Sequence, residues 1–267
     1  FTITVNPTAQ VNDPADQVLC NTENTLAVNF ATVNTVGTTT YAWTNDNASI
    51  GLASSGSGDI ASFAAVNGGT TPEVATITVT PTFTYDGQSC TGPQQTFTIT
   101  VNPTPNADPT PLSQTIPNSD YTDITLDGDV AGTTFGWRVL NAGTTGATGG
   151  GPLNIGDKIE QQLINNTSTP VTVTYRIGPS ANGCIGDSVD VTVTVDPSVD
   201  MTVVNQRPDI CSGDNTQIDI TSTVASATFS WFVTDANGLG ANTGTGVGPN
   251  TGVSIQESDF LERRPIE

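Results

Sequence analysis

Two landmarks recur along this chain at one interval. A proline closes a strand-like phrase at Pro7 ("FTITVNP"), Pro103 ("TFTITVNP") and Pro197 ("DVTVTVDP"), spaced by 96 and 94 residues. A tryptophan stands in an aromatic-x-Trp triplet at Trp43, Trp137 and Trp231, spaced by 94 and 94. Independent landmarks sharing one period mean that the chain is a tandem array. A unit of about 95 residues is too long for a solenoid repeat and has the size of a self-contained two-sheet sandwich domain. The expected division is 1–7, the last strand of a preceding repeat; 8–102 and 103–196, two full repeats; and 197–267, a partial repeat. Both ends fall inside the pattern, so the chain reads as an internal piece of a longer polypeptide.

Within each unit the apolar residues alternate with period two, the signature of a half-buried strand. Phe97, Ile99 and Val101 face one way, with Thr96, Thr98 and Thr100 opposite; Val189, Val191, Val193 and Val195 form the same row one repeat later. The preceding runs, 74–85 and 171–177, pair with them as long hairpins. Segments 25–30 and 216–222 are expected as the second strand, and the Trp triplet as the third. Segment 157–165 reads as a helical turn or a short strand. Thr, Ser, Asn and Gly supply most of the polar surface, which favours strands and turns over helices. The expected fold is all-β: tandem antiparallel β-sandwiches joined by short Pro-containing linkers such as 102–111. Trp43, Trp137 and Trp231 are assigned to the core between the sheets.

Charge narrows the partners. There are 26 acidic against 6 basic side chains, no His, and no basic side chain before Arg138. A net charge of −20 repels phosphate backbones and anionic membranes, so neither nucleic acid nor membrane insertion is expected. No apolar run is long enough to span a bilayer. Without His, His-based catalysis and metal sites are excluded, and no phosphate-binding GxxxxGK[ST] is present. The chain is therefore read as non-enzymatic, with no catalytic residue and no required cofactor. Its one candidate ion is Ca²⁺, on Asp120, Asp123, Asp127 and Asp129 in the oxygen-rich stretch "SDYTDITLDGDV".

Four cysteines fall into an early and a late slot per repeat. Cys20 and Cys211 lie 13 and 14 residues after a linker proline; Cys90 and Cys184 each lie 13 before one. The first repeat fills both slots, which predicts a Cys20–Cys90 disulfide and an oxidising compartment. Ile116 takes the early slot of the middle repeat. Cys184 is then left as a thiol or as a partner of Cys211 across the linker.

The stretches "YAWTNDNASIGLASSGSGDIASFAAVN", "ATITVTPTFTYDGQSCTGPQQTFTITVNPTP" and "GCIGDSVDVTVTVDP" resemble the PKD-like and immunoglobulin-like repeats of giant Bacteroidota cell-surface proteins, including gliding-motility adhesins exported by the type 9 secretion system. The resemblance spans the whole chain. It implies an immunoglobulin-like stalk or adhesin segment on the outer cell surface, supporting adhesion or gliding motility. Its implied partners are neighbouring repeats of the same chain, surface polysaccharide, or the secretion and motility machinery. The alternatives are a surface-filament segment joined by strand donation, or a carbohydrate-binding module.

Overall fold

The computed structural model describes residues 1, 3, 5–143, 146–209, 211, 217–224, 227–232, 243–247 and 253–255, with side chains described as far as residue 230. The chain is all-β. Among the described residues the helical content is one 3-10 turn at Ala48–Ile50.

The first sandwich contains β1 (Gln17–Cys20), β2 (Thr38–Asn45), β3 (Ser55–Ser57), β4 (Glu73–Tyr85), β5 (Gln88–Thr91) and β6 (Gln95–Asn102). They form one sheet in the order β1-β6-β4-β2-β3, with β5 paired to β4. The opposite layer is looser. Segments 22–30 and 59–66 are tied by Thr25 N–H to the Phe63 carbonyl (2.9 Å) and by a reciprocal Val28/Ile60 pair (2.9 Å each way). Segment 25–30, expected as a regular strand, is joined by isolated bridges instead. The core fills the gap. Ile77, Val79, Phe97, Ile99 and Val101 of β4 and β6 pack on Val28, Phe30, Ile50, Leu52 and Ile60. Alternation explains this directly, since every second residue of a strand faces the same layer.

The second sandwich repeats the plan with β7 (Ser113–Ile116), β8 (Ile124–Thr125), β9 (Thr134–Ala142), β10 (Gly150–Asn154), β11 (Lys158–Ile159), β12 (Val171–Ala181), β13 (Cys184–Ile185) and β14 (Val189–Val195). Its main sheet runs β10-β9-β12-β14-β7, with β13 on β12, and β8 and β11 form the second layer. Segment 157–165 is thus a two-residue strand followed by a Tyr121–Gln162 bridge, with no helical turn. Val191, Val193 and Val195 are fully buried, whereas Val189 is half-buried. In the third unit β15 (Thr202–Asn205), β16 (Ile218–Thr221) and β19 (Val253–Ile255) form one sheet, and β17 (Thr228–Phe232) pairs with β18 (Thr243–Val247).

None of the described residues before Gln17 lies in a strand, and Phe1, Ile3 and Val5 are exposed.

The tryptophans share one setting. Trp43 is 8% exposed and lies in the core of the first sandwich, while Trp137 is half-buried against the core of the second. Each is the register partner of a glycine: Trp43 faces Gly56 and Trp137 faces Gly150. A Cβ on either glycine would run into the indole ring, so a bare backbone is required where the ring crosses the next strand. Trp231 faces Gly244 in the same register; its side chain lies outside the described residues.

Candidate functional site: the joint between the first two sandwiches

Strand direction decides where each cysteine sits. β1 runs parallel to β6, with Cys20 the register partner of Asn102. Cys20 is therefore at the pole where the chain leaves the first sandwich. β4 runs antiparallel to β6, so the β4–β5 hairpin turns back at the opposite pole. Cys90 pairs with Phe83, ten residues along β4 from Glu73, whose partner Val101 neighbours Asn102. At a strand rise of about 3.3 Å per residue, Cys20 and Cys90 are separated by about 30 Å. A disulfide tolerates Cα atoms only about 4.4–6.8 Å apart. The expected Cys20–Cys90 bond is therefore not formed.

The bond that does form joins the repeats. Cys20 is linked to Cys184, with Cα atoms 5.6 Å apart and 164 residues between them in sequence. Cys184 sits just past the β12–β13 turn, opposite Ala181, at the pole of the second sandwich nearest the first. It is 1% exposed. This also replaces the expectation that Cys184 stays a thiol or pairs with Cys211. Beside the bridge, Asn102 Nδ2 donates to the Asn182 carbonyl (3.1 Å). Asn182 and Gly183 both have positive φ (51° and 82°), the Asn-Gly chemistry of a tight hairpin turn.

A socket of asparagines supports the joint. Asn21, next to Cys20, accepts from Asn67 N–H through Oδ1 (2.9 Å), and its Nδ2 donates to Thr104 Oγ1 of the linker (3.4 Å). Asn67 is buried, and its Nδ2 donates to the carbonyls of Thr71 (2.8 Å) and Val101 (2.7 Å). The second sandwich builds the same socket. Asn118 Oδ1 accepts from Asn165 N–H (2.8 Å), Asn165 Nδ2 donates to Thr169 (2.8 Å) and Val195 (2.9 Å), and Asn118 Nδ2 reaches Ser198 Oγ (2.6 Å). Since Asn21 corresponds to Asn118, Cys20 corresponds to Pro117. The early slot of the middle repeat is thus one residue later than Ile116, and it holds no sulfur.

The four candidate Ca²⁺ ligands are not brought together. Asp123 is paired with Lys158 (2.8 Å). Asp120 Oδ1 accepts from Tyr121 N–H and Asp127 Oδ1 from Gly128 N–H, both 2.8 Å, while the backbone N–H of Asp129 donates to Asn106 Oδ1 (2.7 Å). Among the described residues no three His, Cys, Asp or Glu side chains gather as a cation site. The short strands of the second layer spread this segment over the sandwich instead of coiling it.

Two surface features complete the inventory. Arg176 grips Asp190 through Nε and Nη2, each at 2.7 Å, which holds the Asp190 carboxyl below its ordinary range. With Trp137, Arg138 and Gly150 it borders a shallow open depression. In the first sandwich Asp16 Oδ1 accepts from Thr98 N–H (2.6 Å), and this backbone bond lowers its pKa. Both groups are solvated: Arg176 and Asp190 are register partners on the outer face of neighbouring interior strands β12 and β14, and Asp16 holds β6 just before its pairing with β1 begins. Among the described residues no helix is long and apolar enough to cross a membrane.

Residues 114–199 match the PKD-like domain family. The match covers most of the second sandwich, and the first repeats the order of its main sheet. No curated protein matches the sequence. Among solved structures the chain is similar to mouse cadherin-23 repeats EC22–24 (11% identity, 94% of this chain and 86% of that one, TM-score 0.46). It is also similar to the titin I-band fragment I67–I69 (10% identity, 84% and 77%, TM-score 0.44).

Proposed function

We propose that this chain is a non-catalytic segment of an extracellular stalk or adhesin, in which PKD-like sandwiches are strung into a rod on a bacterial cell surface. The observation that carries this reading is the Cys20–Cys184 bridge across the first joint. A structural disulfide persists in an oxidising compartment. One that spans two domains fixes how the domains follow one another, which serves a spacer that must hold an end away from its base. The strong negative charge keeps neighbouring rods apart. Weak contacts repeated along such a rod would sum by avidity, suiting adhesion or gliding motility on a surface polysaccharide or another cell.

The test uses intact cells of the source organism. An antibody against residues 8–196 should label unpermeabilised cells, and in-frame deletion of the segment should reduce attachment or gliding without lowering the protein's abundance. Labelling only after permeabilisation, or unchanged attachment and gliding, overturns the reading.

A further inference from the structure

The Cys20–Cys184 bridge has a catch, the cysteine ending the first strand of one repeat, and a clasp, the cysteine in the long hairpin of the next. Cys90 reproduces the clasp. It pairs with Phe83 across the β4–β5 hairpin, as Cys184 pairs with Ala181 across β12–β13. Two residues on, Gly92 N–H donates to the Pro81 carbonyl (3.0 Å), as Gly186 N–H donates to that of Pro179 (3.1 Å). Both glycines lie under the incoming linker, where a Cβ would overlap the carbonyl oxygen of Ala9 in one repeat and of Pro105 in the other.

A second contact marks where a catch would lie. At the bridged joint Asn102, the register partner of Cys20, donates to the hairpin turn at Asn182. Asn6 precedes Pro7 as Asn102 precedes Pro103, and its Nδ2 reaches the Tyr85 carbonyl at the tip of the Cys90 hairpin (3.5 Å). The segment matching the one that runs beside the catch is thus already placed against the clasp. Cys90 itself is half-buried.

We infer that Cys90 forms a second inter-repeat disulfide, with a cysteine that ends the first strand of a PKD-like repeat directly preceding residue 8. Two thiols become one S–S bond. Their two protons and two electrons pass to a protein-disulfide oxidant, which is reduced to its dithiol. This uses the oxidising surroundings already required by Cys20–Cys184 and is independent of what the rod adheres to.

Non-reducing peptide mapping of the full-length protein from its source organism tests this. Thiols are alkylated at lysis and the protein is cleaved at acidic residues, because residues 1–137 contain no Lys or Arg. The expected result is a Cys90 peptide cross-linked to a cysteine peptide from the preceding repeat, at a separation like the 164 residues of the Cys20–Cys184 pair. An alkylated Cys90, a Cys90–Cys20 peptide, or a Cys90–Cys211 peptide from two copies of the chain overturns it. A Cys184 recovered alkylated removes the template and overturns it as well. Surface labelling of cells is unaffected by any of these outcomes, so the two readings fail separately.

Discussion

The two joints of this chain are built on the same asparagine socket and differ in what is added to it. At the first, Cys20 is bonded to Cys184, and Asn102 is buried and donates to the next hairpin. At the second, Pro117 replaces the cysteine and exposed Asp196 replaces Asn102, leaving the Asn118–Ser198 hydrogen bond as the described cross-joint tie. A carboxylate has no N–H to donate, so this substitution removes the polar tie as the proline removes the covalent one. The socket therefore belongs to the fold of each sandwich, and stiffness between sandwiches is set joint by joint.

Removing the covalent tie should have the largest effect. Cys20→Ser is expected to cost about 2–4 kcal/mol of stability, the usual range for a long closed loop, and to widen the distribution of angles between the first two sandwiches. Calorimetry and small-angle scattering check this. Reductant should shift the wild type toward the variant and leave the variant unchanged.

The socket should matter equally in both sandwiches. Asn67→Ala and Asn165→Ala each take a donor from one buried carbonyl, that of Val101 or Val195, and from a partly buried one, that of Thr71 or Thr169, expected to cost about 1–3 kcal/mol per variant. Chemical denaturation of the two variants should give similar losses; a large inequality would mean that the sockets are not equivalent.

Alkali should separate the sandwiches. Tyr175 occupies the place that Ile77 fills in the first sheet, and burial pushes its pKa up to about 12. A folded-state value raised above the ordinary 10.0 means that the stabilisation is complete below pH 10 and is lost as pH rises toward 12. Its hydroxyl donates to Gln161 Oε1 (2.9 Å). Tyr175→Phe should remove this component from a stability profile taken between pH 9 and 12. It should also cost about 1 kcal/mol at neutral pH for the lost hydrogen bond.

Asn102→Asp, measured with the disulfide reduced, converts the first joint's polar tie to the second joint's form. The loss should be about 1 kcal/mol or less, read as a small shift in the unfolding midpoint. Millimolar Ca²⁺ against chelator should have the smallest effect, no shift in melting temperature, because Asp120, Asp123, Asp127 and Asp129 are not gathered into one site.

The sheets were legible because alternation is a local property. Phe97, Ile99 and Val101 announce a strand with one buried face whatever surrounds them. The second layer was less so, since segment 25–30 is held by bridges and side chains and its pattern overstates its regularity. The disulfide was not legible from slot spacing, which treats each repeat as closed on itself. What it missed is strand direction: a parallel first strand and a hairpin return put the two slots at opposite poles. The unpaired remainder at Cys184 was the available clue. The glycine thirteen residues after each tryptophan, at Gly56, Gly150 and Gly244, was a further signal in plain view. At Gly56 and Gly150 it marks the bare strand on which the ring lies.

The bridge also changes how a pull would travel. Tension applied along the chain crosses the first joint by two routes, the linker after Asn102 and the sulfur bond from the end of β1, which share the load. At the second joint the described covalent route is the linker alone. Under the same pull the second joint should bend more readily than the first, because Pro117 stands where the first joint has a sulfur.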